Sequence, residues 1–288
     1  MLTINIAASD APGDVNEDAV GHYGNAAWVI DGATGIGGAL VEAPSDAAWL
    51  ASTANRLLAE VLAQSPVLPT VEVLRTVMAR CAQALERDAV RPATGAHELP
   101  SAAFAMVRII DGMAEFTTLA DCRVATIDAT GGEMGEARLF GVSSHEAIEA
   151  ATLEAARGLL DADPEITPEA LKAALLPRLR ANREQMNREG GYWVLGTEPA
   201  AADHIWQMTM PVRPGQRFAV ASDGFLRLVE LFEAARPSEL LSIATPDDWT
   251  NWLERLRDLE RKPDSLHRYT RVKRHDDASF VACTWDAA

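Results

Sequence analysis

The run AAWVIDGATG, residues 26–35, is apolar until it meets one carboxylate, Asp31, and turns at once on Gly32. A carboxylate at the end of a buried strand is costly unless it is paired, hydrogen-bonded or bound to a metal. Apolar runs meet aspartates again in TLADCR (118–123, Asp121), FAVASDGF (218–225, Asp223) and HDDASFV (275–281, Asp276). Upstream, NEDA at 16–19 adds Glu17 and Asp18. Hard divalent cations such as Mg2+ and Mn2+ take oxygen ligands, and two ions a few ångström apart need a bridging carboxylate plus terminal ones from elsewhere. The pattern predicts a shared metal site. For any single aspartate the alternative is a turn residue satisfying nearby amides, and the repetition along the chain is what favours the metal.

The elements that must position these acids follow from hydrophobic periodicity. Leu2, Ile4 and Ile6 alternate with polar residues, and 26–30 form a second strand across a turn-rich segment, 9–25. Helix spacing runs over 45–64, with Ser45 as N-cap, and a second helix starts at Pro69-Thr70 with an apolar stripe from Val71 to Leu85. Period two returns at 101–110 and 113–120 around Asp111-Gly112, a type I′ hairpin signal. Strands at 122–128 and 138–142 flank a Gly131-Gly132 turn. Helical periodicity occupies 144–160, and Thr167-Pro168-Glu169 starts a helix toward Gly190 that Pro177 should kink or break. Strands are expected at 192–195, 204–210, 217–222 and 278–285, and helices at 225–235 and 246–261. Hairpins predominate and strands do not alternate singly with helices, so the fold class is α+β, with two antiparallel sheets and helices outside. One domain over 1–288 is expected.

In order and spacing, NEDA (16–19), VIDGATG (29–35), ADCR (120–123), ASDGF (221–225) and DDAS (276–279) resemble the motifs of the metal-dependent serine/threonine protein phosphatases, the type 2C or PPM family, in its bacterial form. The resemblance covers nearly the whole length. It implies a four-layer αββα sandwich with a binuclear Mg2+ or Mn2+ site between the sheets at one end. Asp31 would bridge the ions, with Asp223 and Asp276 completing one. Glu17 or Asp18 and the Gly32 carbonyl would serve the other, and Asp121 with Asp223 a third, weaker ion. Water between the two main ions would attack phosphorus in line, which gives Asp31, Asp223 and Asp276 the catalytic role.

Two departures stand out. The family commonly has an arginine four residues before the NEDA glutamate, holding the substrate phosphate, and Gly13 stands there. Ala33 follows the bridging Asp-Gly where many members have a histidine, so the general acid is open. A replacement clamp is offered by the basic stretch 261–275, with Arg271 and Arg274 as substrate-binding candidates, because guanidinium binds phosphate bidentately. A solvated helix end is the plainer reading of that stretch.

Bulk properties narrow the partners. A formal net charge of -16 argues against nucleic acid or an anionic membrane surface. Cys81, Cys122 and Cys283 lack any CxxC spacing and read as buried apolar residues, and the six histidines show no HxH or HExxH pattern, so zinc is not indicated. No apolar run approaches membrane length, and a soluble cytoplasmic chain is expected. The leading expectation is a phosphatase acting on phosphoserine or phosphothreonine in proteins, with oligomeric state open. The alternative is a catalytically weak or inactive phosphatase-fold module with a regulatory or binding role, which the glycine at 13 favours. A haloacid-dehalogenase-type hydrolase is disfavoured, because the DxD at 161–163 lies in a helix-linking loop.

Overall fold

The computed structural model describes residues 1–127, 136–142 and 145–286. Two five-stranded antiparallel sheets stack face to face. One has the order β1 (Leu2–Asp10), β10 (Ala278–Trp285), β9 (Gln216–Ala221), β6 (Arg123–Ile127), β7 (Ala137–Phe140). The other runs β2 (Ala19–Tyr23), β3 (Ala26–Gly32), β4 (Ala102–Ile110), β5 (Met113–Leu119), β8 (Trp206–Pro211). Asp111 and Gly112 both take positive φ, 50° and 75°, as the two-residue type I′ hairpin joining β4 and β5 requires.

Helices α1 (Asp46–Gln64) and α2 (Thr70–Asp88) cover the second sheet, through Leu50, Leu58, Leu74 and Met78 against Trp28, Ile30 and Phe104. Ser45 caps α1 by accepting from the Ala48 N–H. The first sheet is covered by α5 (Asp223–Glu230), α6 (Pro237–Leu240) and α7 (Pro246–Arg261), which pack Phe225, Leu228 and Trp252 against Phe280. Between the sheets lie Val29, Val107, Phe116, Val124, Phe218, Val220 and Val281. The αββα sandwich expected from the sequence is therefore the architecture.

Alternation along each strand explains the layering, since one face of β3 (Trp28, Ile30) meets helices while the other (Ala27, Val29) meets the opposing sheet. A third helical unit, α3 (Glu146–Ala162) with α4 (Pro168–Arg183), packs its own small core of Ala156, Leu160, Leu171 and Leu175 against Leu266 of the short helix α8 (Ser265–Arg268).

Some expectations need correction. Residues 19–23, read as part of a turn-rich segment, form strand β2, paired with β3 from Ala19↔Ile30 to Tyr23↔Ala26. Residues 192–195 form no ladder, only single bridges from Leu195 to Ala102 and Tyr192 to Met186. Pro177 does not break α4, which runs on to Arg183 with Leu171 and Leu175 anchoring the turns before it. The Gly131-Gly132 turn lies outside the described residues. All three cysteines are free and buried, and burial pushes the Cys81 thiol up to about 12.

Candidate metal centre

Antiparallel pairing brings the acidic motifs to one end of the sandwich. The registers Gly32↔Ala102, Asp10↔Ala278 and Arg123↔Ala221 put the C-terminal ends of β1, β3, β5 and β9 beside the N-terminal ends of β4, β6 and β10. Asp31 ends β3, Asp223 opens α5 directly after β9, and Asp276 precedes β10. Asp121 sits in the link that crosses from one sheet to the other, where Ala120 holds φ at 62°, an uncommon conformation for a residue with a side chain.

The two Asp-Gly turns are fitted against neighbouring motifs. A Cβ on Gly32 would lie 2.1 Å from the Glu17 carbonyl oxygen, and one on Gly224 would lie 1.9 Å from that of Asp277. Glycine is required at both positions because backbone passes against backbone. The NEDA segment is tied down by the Glu17 N–H donating to Asp277 Oδ2 at 2.7 Å and the Asp18 N–H to Asn16 Oδ1 at 2.9 Å.

The electrostatics of this end are extreme. Burial pushes Asp18 up to about 8; the Ser279 hydroxyl, the next largest influence, works against the rise, and the charges of Asp277, Asp276 and Asp223 add to it. Burial and the neighbouring carboxylates raise Asp31 well above the carboxylate range, and bring Asp223 up to about 7. Asp276 moves the other way. Burial opposes its charge, but Lys273 and Arg227 outweigh that and hold it low. Its Oδ1 accepts from Lys273 Nζ at 3.0 Å and its Oδ2 from Arg227 Nη2 at 2.8 Å. Asp121 is also held low against burial, by His145 of the α3 approach, whose Nε2 is 3.3 Å from Asp121 Oδ2.

As placed, no group of three or more His, Cys, Asp or Glu side chains among the described residues could hold a metal ion. The set nevertheless fits one in its chemistry. Both oxygens of Asp18 are buried with no hydrogen-bond partner among the described residues, and an anionic carboxylate in that position needs a cation. Asp18, Asp31 and Asp223 supply hard oxygen donors from three separate elements. Glu17 is less free, since its Oε2 accepts from the Thr34 hydroxyl.

The raised carboxyls fix a pH dependence for the metal-free protein. Between the unfolded value of 3.8 and about 8, the unfolded chain releases the Asp18 proton while the folded chain keeps it, so stability falls as pH rises through that window. Asp121 and Asp276, held low, titrate below the window. Chelator-treated protein is expected to melt at progressively lower temperature from pH 5 toward pH 8, and Asp18→Asn to flatten that slope. Melting curves against pH test it, and a rising midpoint would contradict the assignment.

Above the acids opens a cleft of about 570 Å³, walled by both sheets' ends and by α3 and α4. The basic candidates fare differently there. Arg271 lines the cleft, yet its guanidinium is spent on the carbonyls of Ser265, Tyr269 and Arg274 and on the Ser265 hydroxyl. Burial and the neighbouring Arg227 charge bring it down to about 10. Arg274 binds the carbonyls of Glu260 and Lys262 and does not line the cleft. Arg183, at the end of α4, was not singled out from the sequence. Its Nη2 donates to the carbonyls of Ala33 and Thr34, both at 3.1 Å, while Nε and Nη1 have no protein partner among the described residues. Lys273, His145 and Arg183 carry no motif spacing, and only the tertiary structure brings them to Asp31.

The architecture is that of the PPM-type bacterial serine/threonine phosphatases. Among solved structures, the chain is similar to the Mycobacterium tuberculosis serine/threonine phosphatase PstP/Ppp, at 14% identity and a TM-score of 0.57 over 99% of each chain. It is also similar to Staphylococcus aureus Stp1, at 12% identity and 0.57 over 99% of this chain and 95% of that one. The catalytic domain of PstP in complex with two manganese ions matches at 16% identity and 0.53 over all of both chains. At such identities the likeness is one of fold. No protein-family model and no curated protein sequence matches the chain. Among the described residues no helix is long and apolar enough to cross a membrane.

Proposed function

We propose that the chain is a metal-dependent phosphomonoesterase that hydrolyses phosphoserine or phosphothreonine in proteins. The observation that carries this reading is the convergence of Asp18, Asp31, Asp223 and Asp121 at one end of the sandwich, with both Asp18 oxygens buried and unpartnered beneath an open cleft. Solved proteins of the same fold are serine/threonine phosphatases, one of them holding two manganese ions.

Asp18, Asp31, Asp223 and the Gly32 carbonyl are the groups that would hold a divalent ion, Mg2+ or Mn2+, with Asp121 available for a further one, whereas Glu17 already accepts from Thr34 and Asp276 from Lys273 and Arg227. Bound there, such ions lower the pKa of water and neutralise phosphoryl oxygens. The chain's own groups do the rest. Ionised when a cation is bound, Asp31 and Asp223 would supply the negative charge at the base of the cleft, and His145 orients Asp121. Arg183 presents its unpaired guanidinium nitrogens to the cleft from α4 and takes the phosphate, in place of the arginine replaced by Gly13. Arg271 and Arg274 hold the backbone ahead of Asp276 instead.

Arg183→Ala is expected to raise KM for p-nitrophenyl phosphate by about 10-fold or more with a smaller change in kcat, as loss of a charge-assisted phosphate contact does. Arg271→Ala should leave KM alone and lower the melting temperature. Steady-state kinetics on both variants test the assignment. A KM that moves with Arg271 and not Arg183 would reverse it.

A second reading, a regulatory module on the same fold, is favoured by Asp276, whose two oxygens are already bonded to Lys273 and Arg227. Metal-stripped protein titrated with Mn2+ or Mg2+ separates the two readings. Metal-dependent turnover of p-nitrophenyl phosphate supports the phosphatase. Metal binding without turnover of that ester or of a phosphothreonine peptide supports the module.

A further inference from the structure

The carboxylates at the end of the sandwich divide into two kinds. Among the described residues Asp18 has no hydrogen-bond partner for either oxygen, whereas Asp276 has a cation on each. The cation on Asp276 Oδ1 is Lys273, three residues ahead in the segment between α8 and β10. Its Nζ is 3.0 Å from Asp276 and also donates to the Thr34 hydroxyl at 2.8 Å. Thr34 in turn donates to Glu17 Oε2. One ammonium therefore links Asp276 to Glu17 through a single hydroxyl, across the same pair of carboxylates that would otherwise be shared out between two divalent ions.

Lys273 is built into this position. The segment that carries it is fixed on one side by Arg271, which bonds to the carbonyls of Ser265, Tyr269 and Arg274. On the other side Arg274 is tied to the end of α7 through the Glu260 and Lys262 carbonyls. Arg227 fixes the far oxygen of Asp276 and is itself held by Glu260 at 2.6 Å. The hydrogen bonds from Lys273 Nζ and Arg227 Nη2 take one acceptor site on each Asp276 oxygen, and an ammonium a few ångström away repels any cation placed beside it.

We infer that Lys273 is a built-in cation that replaces one divalent ion, so that the chain takes up one fewer ion than its Lys273→Met variant does. The inference rests on the metal-centre reading above. It leaves one divalent ion at the Asp18, Asp31 and Asp223 end and a fixed positive charge at the Glu17 and Asp276 end.

The test counts ions and does not depend on turnover. Metal-stripped wild type and Lys273→Met are dialysed against Mn2+, the bound manganese is measured by elemental analysis, and affinities are read by calorimetry. The expected result is about one ion per chain for wild type and about two for the variant, the added ion being lost again in Lys273→Met/Asp276→Asn. Wild type that binds two, or a variant that binds the same number as wild type, overturns the inference while leaving the metal centre in place. No manganese on either protein overturns the metal centre and the inference together. Lys273→Gln, which keeps a polar end without the charge, replaces the Met variant if that protein does not melt cooperatively, and the same count decides.

Discussion

Asp31→Asn is expected to lower metal-dependent hydrolysis of p-nitrophenyl phosphate by about 10³-fold or more, because it removes the carboxylate on which the other acids of the site converge. The same change should stabilise the metal-free protein. Burial and the charges of Asp18, Asp223, Asp121 and Asp276 raise Asp31 far above the carboxylate range, so near neutral pH folding forces a proton onto a group that is ionised in the unfolded chain. Asparagine does not titrate and escapes that cost, which grows by about 1.4 kcal/mol for each pH unit above the unfolded value until the folded group itself ionises. Loss of function and gain of stability thus have one cause, a buried cluster of like charges. Activity with added Mn2+ and melting of the chelator-treated protein at pH 7.5 measure the two halves. A variant that loses activity because it no longer folds would remove Asp31 from the site and place it in the structural frame.

That cluster was legible in the sequence because Asp31, Asp121, Asp223 and Asp276 each sit where an apolar run ends or begins. Val29 and Ile30 must be buried, so Asp31 must emerge at a strand end, and the same holds for Asp223 after Phe218–Ala221 of β9 and for Asp276 ahead of β10. Antiparallel order then places alternate connections at the same end of a sandwich. What the local pattern lacks is whatever depends on one segment reaching another. The strand Ala19–Tyr23 is short, bounded by glycine and turn residues, and has meaning only as the edge partner of β3. The apolar run at 192–195 looks like a strand, yet its neighbours offer one bridge each way and no ladder. Pro177 reads as a helix breaker, but Leu171 and Leu175 pack with Ala156 and Leu160, and tertiary burial outweighs one missing backbone bond. Among the basic residues, charge alone could not distinguish Arg271, consumed by carbonyls, from Arg183, which lines the cleft with two guanidinium nitrogens that have no protein partner among the described residues.

Glu260→Ala should be among the most destabilising single changes in the protein, by about 3–5 kcal/mol, because it strips a buried ion-pair network of its only fully buried anion. The Glu260 side chain is 0% exposed, with Arg227 Nη1 on Oε1 at 2.6 Å, Arg257 Nη1 on Oε2 at 2.7 Å and His275 Nδ1 at 2.9 Å from Oε2. Without it, among the described residues Arg257 keeps only Asp10 at 3.0 Å and already has a buried Nε with no partner. Arg227 keeps Asp276, so the loss reaches the candidate metal centre through the guanidinium that bridges them. Nothing replaces the charge, since burying two guanidiniums against methyl groups leaves their remaining donors unsatisfied. Glu260→Gln keeps the shape and one acceptor but cannot neutralise two arginines, and should fall between wild type and the Ala variant. Denaturant melts of the three proteins at pH 7 give the ranking. A loss under about 1 kcal/mol for Glu260→Ala would mean that water reaches the network and that α7 holds Asp276 less firmly than its geometry implies.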